Sequence, residues 1–173
     1  MPSQYLDEFI RELRREGDKT FRARYAAPVL IVTRAEGEMK GVKDTAETTV
    51  MADTSGWRIQ QVSLLNRVFA VSRGAFEKET PVILGRSDKV ADIVIPDDSV
   101  SKRHCLFEMK SGGMTLTDCG STNGTTVSEM DLPANKPVLL KGGETLVMGN
   151  FSFLFHTADG FIAYLKRVVK PGP

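Results

Sequence analysis

Near the start of the chain, Leu6, Phe9, Ile10 and Leu13 recur at intervals of three, four and seven residues, the stripe that a surface helix buries against a neighbour. A helix is therefore predicted over residues 3–16, with Ser3 as its cap and Gly17 as its stop. A second helical stretch over 18–25 precedes Pro28, whose ring disfavours helix in the residue ahead of it. From residue 29 the period shortens to two. Strands are predicted over 29–33, 48–52, 57–65, 67–72, 81–85, 92–95, 105–110, 114–118, 125–128, 138–140, 144–149 and 151–157, each bounded by turn-forming residues. The alternation is clean in places: Phe151, Phe153 and Phe155 share one face opposite Ser152 and His156, and Cys105, Phe107 and Met109 oppose Glu108 and Lys110. The polar stretch 34–47 reads as a flexible loop. After the last strand, Phe161, Ile162, Leu165, Val168 and Val169 return to helical spacing until Pro171.

Many short strands with regular turns and no long helix between them predict an all-β chain. The expected fold is an antiparallel β-sandwich with short N- and C-terminal amphipathic helices, rather than a parallel α/β fold. The expected division is 1–27 for the first helical segment, 28–66 for accessory strands and the polar loop, 67–157 for the sandwich, and 158–173 for the last helix and tail. At 173 residues and 41% hydrophobic, one domain with appendages accounts for the length.

Charge narrows the partners. Lys and Arg number 23 against 22 Asp and Glu, a formal charge of +1, so neither a nucleic acid nor a polybasic membrane contact is expected, and any affinity for anions must be local. Arg14, Arg15, Arg22 and Arg24 alternate with Glu12, Glu16 and Asp18, as on a solvated helix face. The longest strictly aliphatic run, 29–32, is far too short to span a bilayer, and Asp7 and Glu8 replace the positive start of a secretory signal. Two cysteines without repeated spacing make a disulfide framework improbable and favour a reducing, cytoplasmic setting. His104, Cys105, Cys119 and His156 match no metal-ligand spacing; the cysteines and the strand Met and Phe residues read as core, and neither metal nor cofactor is expected.

The loops carry the chemistry. Gly85-Arg86-Ser87 leaves one strand, Ser99 to His104 enters another, and Asp118 to Thr125 links two more. Together they offer a guanidinium, an ammonium, hydroxyls and an amide, with no carboxylate pair and no nucleophile beside a base. A phosphorylated side chain, with about −1.5 to −2 charge and three strong acceptor oxygens, suits that inventory. Arg86 can take two oxygens, Ser101 and Thr122 can donate from their hydroxyls, Lys102 can add a point charge, and Asn123 can hold peptide backbone. The plainer readings are a surface arginine, turn caps that bond their own backbone, and an Asn123-Gly124 hairpin turn.

Gly85-Arg86, Ser101-Lys102-Arg103-His104 and Ser121-Thr122-Asn123-Gly124-Thr125 resemble, in order and spacing, the three motifs of the forkhead-associated (FHA) domain, a phospho-motif reader. The resemblance covers roughly 67–157, and the flanks are similar in pattern to small bacterial FHA proteins with a helix on either side. It implies an FHA/SMAD-like sandwich of about eleven strands that binds phosphothreonine peptides at one end. Arg86, Ser101, Lys102 and Thr122 would contact phosphate and Asn123 the peptide main chain, while Gly85, His104 and Gly124 shape the loops. It also implies a preference for phosphothreonine over phosphoserine, since burying the extra methyl contributes about 0.8 kcal/mol. Residues 128–131 depart from the family's Asn-Gly, so a wider hairpin turn is expected there.

The resulting expectation is a non-enzymatic signalling adaptor downstream of a Ser/Thr protein kinase, whose partner is a threonine-phosphorylated protein. The alternative is a phosphate-independent assembly protein that uses the sandwich sides or its helices. Thr48 and Thr49, after Glu47 beside the polar loop, are candidate phosphorylation sites.

Overall fold

Two helices and twelve strands make up the regular structure of the residues described by the computed structural model, 4–35, 64–73 and 81–168. Strand β1 (Gln4–Tyr5) leads into helix α1 (Leu6–Arg24). Strands β2 (Val29–Ala35), β3 (Arg67–Ala70), β4 (Val82–Gly85), β5 (Ile93–Val94), β6 (Cys105–Lys110) and β7 (Gly113–Asp118) follow. Then come β8 (Thr125–Val127), β9 (Met130–Asp131), β10 (Val138–Leu140), β11 (Thr145–Met148), β12 (Phe151–His156) and helix α2 (Ala158–Val168).

The strands form two sheets, one in the order β1-β3-β2-β12-β11-β8-β9 and the other β10-β7-β6-β4-β5. This is the expected β-sandwich. Pairing is antiparallel throughout except between β4 and β5, which run parallel with Leu84 opposite Ile93. Residues 86–92 fold back in a turn, with the Val90 and Ala91 N–H groups donating to Ser87 O, and re-enter beside β4 in the same direction.

Inner-face residues from both sheets meet in the main core: Leu30, Val32, Phe153 and Phe155 from one, Leu84, Phe107 and Leu116 from the other. The seven-stranded sheet is also covered on its outer face. There Val29, Ile31 and Val68 pack against Phe9, Leu13 and Phe21 of α1 and Phe161, Ile162 and Leu165 of α2. This explains the unalternated run at 29–32: β2 is buried on both faces.

Gly17, with φ 76° and ψ 164°, kinks α1 between the two predicted helical stretches. The N-cap is Tyr5 instead of Ser3, which lies outside the described residues; Tyr5 N–H donates to the Glu8 carboxylate at 3.3 Å. The start is displaced because residues 4–5 pair with β3. Among the basic residues of the helices, Arg11 pairs with Asp7, Arg22 with Asp159 and Lys166 with Asp18, all exposed. Among the described residues no helix is long and apolar enough to cross a membrane.

Several expectations change. Arg34 and Ala35 extend β2 instead of opening the loop. The predicted strand over 48–52 and residues 57–63 of the strand predicted over 57–65 lie outside the described residues, while Leu64 and Leu65 are not in a strand. Met109 and Met130 are 47% and 71% exposed, because β6 outruns the core at its end and β9 is an edge strand. Cys105 is buried, but Cys119 is only partly so. The β8–β9 turn is tight rather than wide: Val127 pairs with Met130, and Ser128 and Glu129 take φ of 46° and 70°, the two-residue form that follows sheet twist.

Candidate functional site

Three loops meet at one end of the sandwich: 86–92 after β4, 95–104 before β6, and 119–124 between β7 and β8. Arg86 N–H donates to Ser101 O at 3.0 Å, and Thr122 N–H donates to Ser101 Oγ at 3.0 Å. The hydroxyls of Ser101 and Thr122 stand 3.4 Å apart. Asn123 Nδ2 donates to Ser99 O at 2.8 Å. Arg86, Ser101, Thr122 and Asn123, distant in sequence, are thus tied together. Lys102 adjoins them through its backbone: a Cβ on Gly85 would lie 2.2 Å from Lys102 O, so only glycine lets the strand carrying Arg86 run this close to the Ser101 loop. Lys102 and Arg103 are exposed.

His104 is fully buried beneath these loops. Its Nδ1 accepts from Ser101 N–H at 3.1 Å, which leaves Nε2 as the donor to Gly124 O at 3.0 Å. Burial outweighs the pull of Gly124 and Asp118 and holds the imidazole below its ordinary pKa, so the neutral ring spans two loops. Gly124 itself takes φ +74°.

Asp118 organises the third loop. Its carboxylate accepts from the N–H groups of Gly120 and Ser121 and from the hydroxyls of Ser121 and Thr125, at 2.6 to 2.9 Å. Burial pushes its pKa up, yet those hydroxyls and N–H groups together hold it below the ordinary carboxylate value. Asp97, also buried, accepts from Ser99 N–H and Oγ.

A family model for the FHA domain matches residues 82–149, the segment that contains all three loops. Residues 82–149 are an FHA domain. Over 65 residues the chain is 38% identical to the "Oxoglutarate dehydrogenase inhibitor" of Corynebacterium diphtheriae, covering 38% of this chain and 43% of that protein. Over 67 residues it is 37% identical to the "Glycogen accumulation regulator GarA" of Mycolicibacterium smegmatis, covering 39% of this chain and 40% of that protein. The chain thus matches less than half the length of these relatives. The solution structure of the FHA domain of an Arabidopsis thaliana hypothetical protein shares the fold, with a TM-score of 0.51 and 20% identity across 76% of this chain and 86% of that one.

The FHA domain has parts that the sequence reading missed. Asp97 and Asp118 carry the loops, and both precede serines in the Asp-rich turns where such carboxylates bond the backbone a few residues on. Asp98 bonds Arg86 Nη1 through Oδ1 at 2.8 Å. Beside Asn123, an open cleft of about 260 Å3 is lined by Ser99, Gly124, Thr126, Val147, Gly149 and Asn150. A Cβ on Gly149 would lie 2.6 Å from Ser99 O, which joins the β11–β12 turn to the same loop cluster. Thr48 and Thr49 lie outside the described residues.

Proposed function

We propose that the FHA domain of this chain binds threonine-phosphorylated segments of a partner protein, with Arg86, Ser101, Lys102 and Thr122 holding the phosphate and Asn123 the peptide backbone. The observation that carries this is the convergence of Arg86, Ser101 and Thr122 through direct hydrogen bonds. Donors fixed in advance lose little freedom when a dianion arrives, and Arg86 adds a fork matched to phosphate oxygens. Gly85, His104 and Gly124 act by keeping the three loops in register. The cleft beside Asn123 offers a path for the peptide away from the phosphate.

No chemical step follows binding, and the role is that of a cytoplasmic adaptor downstream of a Ser/Thr protein kinase. The names of the two bacterial relatives, an inhibitor and a regulator, favour a regulatory role of this kind. The working division is 1–27, 28–66, 67–157 and 158–173, with β2 of the second segment built into the sandwich between β3 and β12.

Calorimetric titration of the full chain with a degenerate phosphothreonine library, beside its phosphoserine and unmodified forms, tests the reading. Micromolar binding, about −8 kcal/mol, confined to the phosphothreonine form is the expected result. Equal capture of unmodified peptide would replace it with a phosphate-independent assembly role.

A further inference from the structure

Asn123 stands in the one Asn-Gly step of the chain, and both residues are exposed at the loop end. The Gly124 N–H has no hydrogen-bond partner among the described residues, while the Gly124 carbonyl accepts from His104 Nε2 at 3.0 Å. A Cβ on Gly124 would meet nothing within 4 Å, so the approach to that nitrogen is open. From this arrangement we infer that Asn123 is a deamidation site, and that its conversion is a slow, one-way switch that retires the phosphate-binding loops. The switch rests on the phosphopeptide reading above; the modification itself does not.

The chemistry needs only water. The Gly124 nitrogen gives up its proton and bonds to Asn123 Cγ, the Cγ–Nδ2 bond breaks, and Nδ2 takes up that proton and departs as ammonia. Water then opens the cyclic imide. Attack at Cγ leaves aspartate; attack at the Asn123 main-chain carbonyl leaves isoaspartate, in which the chain runs through Cγ and is one carbon longer. Glycine permits the first step because it carries no side chain beside the attacking nitrogen. Asn66, Asn135 and Asn150 are exposed as well, but Arg67, Lys136 and Phe151 follow them.

The effect of the products follows from the bonds on either side. Thr122 N–H donates to Ser101 Oγ at 3.0 Å and Gly124 O accepts from His104 at 3.0 Å, so the main chain is pinned just before and just after Asn123. With an extra carbon between those points, one of the two bonds is lost and the loop leaves its register. Either product also replaces the Nδ2 that donates to Ser99 O at 2.8 Å with an acceptor-only carboxylate. That group faces a carbonyl and adds negative charge where a dianion is to bind. The same bond restrains the native amide, since the reaction proceeds from the molecules in which Asn123 has let go of Ser99. A phosphopeptide that holds Asn123 reduces that fraction. Occupied sites therefore persist, and idle ones expire.

The test incubates the full chain at mildly alkaline pH in three arms: native, native with a phosphothreonine peptide, and in denaturant. Digestion and mass spectrometry then locate each exchange of NH2 for OH. Conversion is expected at Asn123 well ahead of Asn66, Asn135 and Asn150, fastest in denaturant and slower in the native chain. Peptide at about one hundred times its Kd should slow it about tenfold or more again. The isoaspartyl form, separated by ion exchange, should bind the peptide at least about tenfold more weakly than fresh protein. Asn123→Asp, which adds the charge without the extra carbon, should fall between the two. No conversion at Asn123 in the native chain, conversion that the peptide does not slow, or an isoaspartyl form that binds like fresh protein overturns the inference and leaves the phosphopeptide reading standing. A fresh chain that binds no phosphothreonine peptide overturns that reading and the switch together, and the mass map still decides the modification.

Discussion

The loop end of the sandwich and its helix-covered flank are held by opposite means. At the loop end a neutral imidazole and two buried carboxylates hold the backbone in place through directed bonds at 2.8 to 3.1 Å. On the flank, Phe9, Phe21 and Phe161 pack with ring centroids 5.3 to 6.4 Å apart, and apolar area rather than direction sets their contribution. Directed bonds fix positions within tenths of an ångström, as donors to a phosphate require. Packed rings keep a layer in place and tolerate small shifts. The two regions should therefore fail differently when altered.

Phe161→Ala should have the largest effect, a loss of about 3–5 kcal/mol of stability in denaturant unfolding, with phosphopeptide affinity of the folded protein unchanged. A large fall in affinity would show that the flank and the loop end are coupled. Arg86→Ala should do the reverse, weakening phosphopeptide binding by about 1.5–3 kcal/mol, roughly ten- to 150-fold, while the unfolding midpoint stays put. Tight binding by that variant would remove Arg86 from the phosphate. Gly85→Ala should cost about 1–3 kcal/mol and depress affinity too, since the added methyl can be accommodated only by moving Lys102 and with it Ser101.

The smallest effect compares the two histidines, one in each region. His104 lies under the loops, and His156 stacks on Tyr164 of α2 at 4.8 Å. Burial lowers the pKa of both, with Arg167 adding to the effect on His156. Each is therefore harder to protonate folded than unfolded. Their stabilisation is complete above about pH 6.5 and declines as the pH falls toward the folded-state values, because the unfolded chain takes up the protons first. Thermal melts without ligand should be flat above that pH and fall below it. Removing His104 should take away part of the fall, and NMR titration of the two rings should give midpoints below the ordinary histidine value.

What the sequence revealed depended on where the signal was local. Alternating residues such as Phe151, Phe153 and Phe155 announce a strand by themselves, although β12 is buried on both faces because the helices cover its outer side, and turn chemistry marked the loops that carry Arg86, Ser101 and Thr122. β1 and β9 escaped because two residues of mixed polarity show no period, whereas the equally short β5 was legible from the apolar run around Ile93 and Val94. The cap at Ser3 was misplaced for a related reason, since only pairing with Arg67 and Val68 recruits residues 4–5 into a sheet. Asp97 and Asp118 differ from exposed loop acids only through their burial, which is a property of the assembled molecule. The Arg86–Asp98 pair joins residues of two different loops, and nothing in either loop alone predicts it.

The pairing of β2 with β12 joins Val29 to His156, and β2 also carries β3 on its other edge. A ribosome therefore releases β2 long before its partner exists, and its four aliphatic side chains must wait for nearly all of the remaining described chain to emerge. Sheet closure between such distant segments is slow. During that interval only β3 can pair with it, and the helix α1, made just before it, is the first element available to cover its outer face.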